Sequence, residues 1–293
     1  MASGLDKILT PSLFQFMVDC LIPFPKTQVD CAFLASDPFD EKFREHAWPA
    51  LLALSKVGLE NMPDMMHFLP LPSAADFPPQ CLGLQILLDQ TPRVLCPADS
   101  IDSRWVNSYF DIVSNKFART WLGLPAEQRP DSWEAWGKQS ASLDYWLRVR
   151  RLFSCPHVHC GTLESQELAL AFNEETRRTV ERISGQTDPN RAERQEILSD
   201  VYGFPRMLTE GPPDNLTTVT WCWWTLKLSD IHKPIIDKFG RYPYRNTVQG
   251  LENTEEEVEW IEKTNHFAEA PSHVAQLVRD DIAAGRWTPL GSA

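Results

Sequence analysis

Glycine is scarce in this chain of 293 residues, at 13, whereas proline reaches 23. Few glycines means few of the close backbone approaches that phosphate-cradling loops require, and many prolines cut helices short. No G-x-G-x-x-G, P-loop, H-E-x-x-H or G-x-S-x-G segment occurs, so dehydrogenase, kinase, zinc protease and serine hydrolase readings have no motif to stand on. Basic patches are also missing. Lys+Arg total 28 against 40 Asp+Glu, a net charge of −12 with a pI near 5.1, and nucleic acid is not an expected partner. The seven cysteines form no C-x-x-C pair, a pattern of reduced thiols that points to a cytoplasmic setting. The apolar stretch from Ile8 to Phe24 is broken by Pro11, Asp19 and Pro23. It reads as a core helix or docking arm, neither a membrane span nor a signal peptide.

What the chain does have is helical periodicity. Phe39, Phe43, Ala47, Leu51, Leu54 and Val57 recur at three- and four-residue spacings behind a cap at Asp37 and Pro38. An apolar helix over residues 80–90 is expected to close at Asp89 and Pro92. Residues 102–122 and 163–183 repeat the pattern, and Thr254 with Glu257 forms a capping box ahead of Val258 and Ile261. Alternating strand-like runs are absent. The fold class is therefore all-α, in one domain. Tryptophans in the proline-rich stretch 124–142 predict a folded excursion, and the polar stretch 184–196 predicts an exposed loop.

Two segments are distinctive. One is Asp89-Gln90-Thr91-Pro92-Arg93; the other is Phe239-Gly240-Arg241-Tyr242-Pro243-Tyr244-Arg245-Asn246, followed by Gly250 and Thr254-Glu255-Glu256-Glu257. Together they resemble the "domain of unknown function 924" family, whose members carry D-Q-F-P-R-N, then F-G-R-F-P-H-R-N, a glycine and S-T-x-E-E. The resemblance spans roughly residues 30–267 and implies a tetratricopeptide-like helical array, with no established chemistry. Where the family has asparagine and histidine, this chain has Val94 and Tyr244. The family's P-x-x-H-S-E-D-L finds its counterpart near Glu164-Ser165-Gln166 or, with an insertion, near His157 and His159.

The candidate site residues follow from these segments. Arg93, Arg241 and Arg245 sit beside prolines, where guanidinium groups either form a structural network with Asp89 and other carboxylates or bind an anion or carbonyl. Trp221, Trp223 and Trp224 open a helix running to His232 and Pro234; eleven tryptophans in all exceed what packing demands and suit the walls of a pocket. Cys155-Pro156-His157-Val158-His159-Cys160 offers four ligand types, but one hexapeptide does not wrap a tetrahedral ion, so no metal is expected. His159 remains an acid–base candidate.

The expectation is one pocket, with Trp221, Trp223 and Trp224 as walls. Arg93, Arg241, Tyr244, His232 and His159 are its catalytic groups, and Asp89, Arg245 and Asn246 assist binding. The protein would be a cofactor-independent enzyme, monomeric or weakly dimeric, cyclising, adding to or isomerising a small apolar metabolite. A tetratricopeptide-like module for a peptide or partner protein is the alternative. An enclosed tryptophan-lined pocket favours the first reading and an open groove the second.

Overall fold

The computed structural model describes residues 2–28, 41–214 and 216–292, and every regular element among them is a helix. The proposed start of the second helix at Asp37, Pro38 and Phe39 lies outside those residues. The fold divides into two compact units, residues 1–156 with 277–293, and residues 157–276.

The first unit is built on α1 (Pro11–Leu21), α2 (Glu41–Ser55), α3 (Phe77–Leu95), α4 (Asp111–Leu122) and α5 (Leu143–His159), the last turn of which falls in the second unit. Thr10 caps α1, its hydroxyl accepting the Leu13 N–H at 3.3 Å. Of the two readings of this stretch, core helix or docking arm, it is a core helix, with Phe14 and Met17 fully buried. Helices α1 and α3 touch at Gly83, where a Cβ would stand 2.1 Å from the Phe14 carbonyl oxygen. Only glycine permits that approach.

Helix α3 departs from the sequence expectation. It does not close at Asp89 but passes through Pro92 to Leu95. A proline inside a helix costs about 3 kcal/mol. Here fourteen of the helix's nineteen residues are buried, and burial of its apolar side chains outweighs the lost hydrogen bond. Asp89 and Arg93 therefore stand one helical turn apart on a continuous helix. The proline-rich excursion is folded as expected: Trp136 is fully buried and donates its indole N–H to the Pro130 carbonyl at 2.7 Å.

The second unit comprises α6 (Leu163–Ser184), α7 (Gly203–Glu210), α8 (Thr218–Asp230), α9 (Lys233–Phe239), α10 (Glu255–Lys263) and the start of α11 (Ser272–Ala283). The tryptophan helix stops at Asp230, and His232 sits at the N-cap of the next one. Leu228, Ile231, Ile235, Ile236, Phe204, Tyr242 and Trp260 form its core. The stretch 184–196 is mostly exposed, as expected, but it is pinned to the core at one residue. Asp188 is buried and receives the Arg177 Nε–H at 2.6 Å, because a buried carboxylate and a buried guanidinium need one another once out of water.

Candidate functional site

In the first unit the Asp89 segment is part of a buried polar chain. The Trp121 indole donates to Gln85 Oε1 at 3.0 Å, Gln85 Nε2 donates to Ser114 Oγ at 2.7 Å, and Ser114 Oγ reaches Asp89 Oδ1 at 3.4 Å. Gln90 donates to the other Asp89 oxygen at 2.5 Å. Arg93 meets Asp111 at 2.5 Å, a partner that nothing in the residue pattern signals. Helix α5 packs alongside. Its Pro156 carbonyl accepts the Asn115 amide at 3.1 Å, and its Phe153 ring lies 4.8 Å from Trp121. Arg148, Arg151, Ser154 and Cys155 follow along α5. Burial pushes the Cys155 thiol up to about 11, opposed by the Arg151 and Arg93 charges and assisted by Asp89, so it is protonated at neutral pH.

In the second unit the FGRYPYRN segment is a structural clasp. Arg241 donates Nε–H to Glu257 Oε1 at 2.6 Å and Nη2–H to Glu257 Oε2 at 2.7 Å, a two-pronged pair. Its carboxylate partner is Glu257 rather than Asp89. Glu257 is also the capping-box residue: the Thr254 N–H donates to it at 2.8 Å. Burial pushes its carboxyl up, but the bonds from Arg241, the Thr254 N–H and Asn246 prevail and hold it at about 2. The acidic run of α10 is thus a solvated face except at Glu257, which is 1% exposed.

Arg245 lies over the Tyr242 ring, 4.4 Å from its centroid, and donates to the His159 carbonyl at 2.7 Å. Asn246 is buried and donates to Asn253 Oδ1 at 2.7 Å. Gln166 ties the end of α5 to the same segment, donating to the Val158 and Cys160 carbonyls at 2.9 and 3.1 Å and to the Tyr242 hydroxyl at 2.9 Å. Tyr244 and His232 lie in an aromatic nest with Phe204. The His232 ring is 3.9 Å from Phe204, and its Nδ1–H donates to the Leu228 carbonyl at 2.8 Å. Trp221 and Trp223 are buried in the fold and Trp224 packs half-buried against the unit's core.

The sequence also gave no warning of a buried lattice beside them. Arg177 spends its guanidinium on Asp188 at 2.6 Å, Glu174 at 3.0 Å and Asp230 at 3.0 Å. Arg194 adds a bond to Asp230 at 2.7 Å and Arg191 one to Glu181 at 2.6 Å. Burial pushes the Arg177 guanidinium down, but its three carboxylates more than reverse this.

A cleft of about 280 Å³ opens in the second unit between α7, α8 and the segment 193–200. Glu193, Glu196, Asp200 and Glu210 line it, with Arg206 and Lys227 as the cations and Ile197, Met207 and Ile231 as apolar wall. None of Trp221, Trp223 and Trp224 lines it. Asp200 is engaged by Arg206 and by the Tyr202 N–H at 3.0 Å. Glu193, Glu196, Glu210 and Lys227 have no side-chain partner among the described residues.

Fold and site together define an all-α protein with no helix, among the described residues, long and apolar enough to cross a membrane. The chain belongs to the family described as "Bacterial protein of unknown function (DUF924)", whose profile matches residues 24–265. No curated protein and no solved structure matches it significantly.

Proposed function

We propose that the protein is a binding module, a tetratricopeptide-like helical array whose second unit takes up a cationic, partly aliphatic group such as a lysine side chain of a partner peptide. The observation that carries this is the open cleft with three uncommitted carboxylates, Glu193, Glu196 and Glu210, beside an apolar wall of Ile197, Met207 and Ile231. A lysine stem lies along such a wall while its ammonium group stays among the carboxylates. Charges of one sign at an open surface accelerate association and select partners of the opposite sign. The tryptophans that favoured a small apolar substrate are committed to packing, which withdraws the main support for an enzyme of the cyclase or isomerase kind.

The test is fluorescence anisotropy of a labelled lysine-rich peptide and of its glutamate-substituted counterpart. The lysine peptide should bind, weaken as salt is raised, and lose at least about tenfold in affinity against a Glu193→Gln, Glu196→Gln, Glu210→Gln triple variant of unchanged helicity. Equal binding by the triple variant, or none by the native chain, contradicts the proposal. A stoichiometric apolar metabolite co-purifying with the protein would instead restore the enzyme reading.

A further inference from the structure

The cleft of the second unit sorts its charges by wall. Segment 193–200 carries Glu193, Glu196 and Asp200, and α7 carries Arg206 and Glu210. The third wall is α8 with its C-cap, where Lys227 and Ile231 stand one helical turn apart on the same face. Asp200 and Arg206 neutralise each other. What is left is three glutamates on two walls and one half-buried lysine on the third. Among the described residues, Lys227 forms no ion pair with any of them, although opposite charges in one cleft attract.

The spacing of the walls is set by contacts outside these charged groups. Arg194 donates to Asp230 at 2.7 Å and pins segment 193–200 to the end of α8. The Trp260 indole donates to the Val201 carbonyl at 2.8 Å and fixes the link into α7. Gly203 brings α7 close to Ile231 and leaves the cleft bare beneath Asp200. A Cβ there would stand 3.1 Å from Asp200 Oδ2 and 3.5 Å from the Ile231 Cβ.

A pre-formed cleft with separated charges of both signs is complementary to a ligand that carries both. Its volume, about 280 Å³, falls just below the range of about 300–1,000 Å³ found for small-molecule sites. It therefore holds the end of one chain, not a run of residues. A lysine at the C-terminus of a peptide meets each condition. Its ammonium group suits the glutamates, its stem suits the wall of Ile197, Met207 and Ile231, and its α-carboxylate suits the ammonium of Lys227. An internal lysine has no anion to offer Lys227.

We infer that the cleft recognises a C-terminal lysine, with Lys227 receiving the terminal carboxylate of the chain. This rests on the proposed lysine-binding role of the same cleft and adds the carboxylate to it.

Fluorescence anisotropy of one labelled peptide, Gly-Gly-Gly-Lys, as the free acid and as the C-terminal amide tests it. The amide lacks the negative charge, so general attraction to a chain of net charge −12 favours the amide. Contact with Lys227 reverses that order, and the free acid should bind at least about fivefold more tightly. Lys227→Met should weaken the acid and tighten the amide, because it removes the partner of the carboxylate and the repulsion of the ammonium group together. Equal or tighter binding of the amide by the native chain would overturn the carboxylate contact while leaving lysine recognition in place. Binding of neither peptide would overturn this inference together with the reading it rests on. A preference for the acid that survives in Lys227→Met would overturn the role of Lys227, and free lysine competing as well as the acid peptide would overturn the peptide terminus as ligand. The comparison of acid with amide on the native chain needs no variant, so it decides the carboxylate contact even if Lys227→Met does not fold.

Discussion

Arg177 in the second unit and Arg151 in the first are the same side chain in opposite settings. Arg177 is 2% exposed and bonded to Asp188, Glu174 and Asp230; Arg151 is half-buried and touches a thiol and a hydroxyl. A guanidinium sealed among carboxylates has no donor left for a ligand, and its charge is already balanced. One held by neutral groups keeps its fork and its charge. Arginine near a buried site is therefore not evidence of binding by itself.

The largest effect that sharpens this contrast is expected at the lattice. Arg177→Met leaves Asp188 buried without its cation and Asp230 with Arg194 alone, and should cost about 3–5 kcal/mol in urea denaturation. A loss below about 1 kcal/mol would mean the lattice is replaceable by packing. Next comes acid. Glu257 is held at about 2 against its usual 4.5, so the folded state binds the proton less readily than the unfolded chain. Its contribution, about 3 kcal/mol, is complete above the unfolded value and should fade as pH drops from about 4.5 to 2. Glu257→Gln should remove most of that slope in denaturation followed across the same range. The smallest effect is Thr254→Ala, which deletes the cap of α10 and should cost about 1 kcal/mol by thermal melting.

The residue pattern carried the all-α class and the family, because apolar spacing and two compact motifs are local properties. It also carried the capping box of Thr254 and Glu257. It failed where the deciding contact was distant. Pro92 reads as a stop, yet the burial of α3 against α1 at Gly83 keeps the helix going. The stretch 184–196 reads as a loop because its residues are polar, yet Asp188 and Arg194 are partners for Arg177 and Asp230. Arg241 was visible as a cation in need of an anion, but only the fold selects Glu257 from the acidic run. The cleft had no signal at all: Glu193, Glu196 and Glu210 are ordinary surface glutamates until α7 and α8 bring Ile197, Met207 and Ile231 beside them.

The most direct test of the contrast is to denature Arg177→Met and Arg151→Gln in one anion-free buffer and compare each with the native chain. The account predicts that the first loses about 3–5 kcal/mol while the second stays within about 0.5 kcal/mol of native or gains stability. Equal losses in the two variants would show that both arginines serve the scaffold alike, and would contradict the distinction drawn between them.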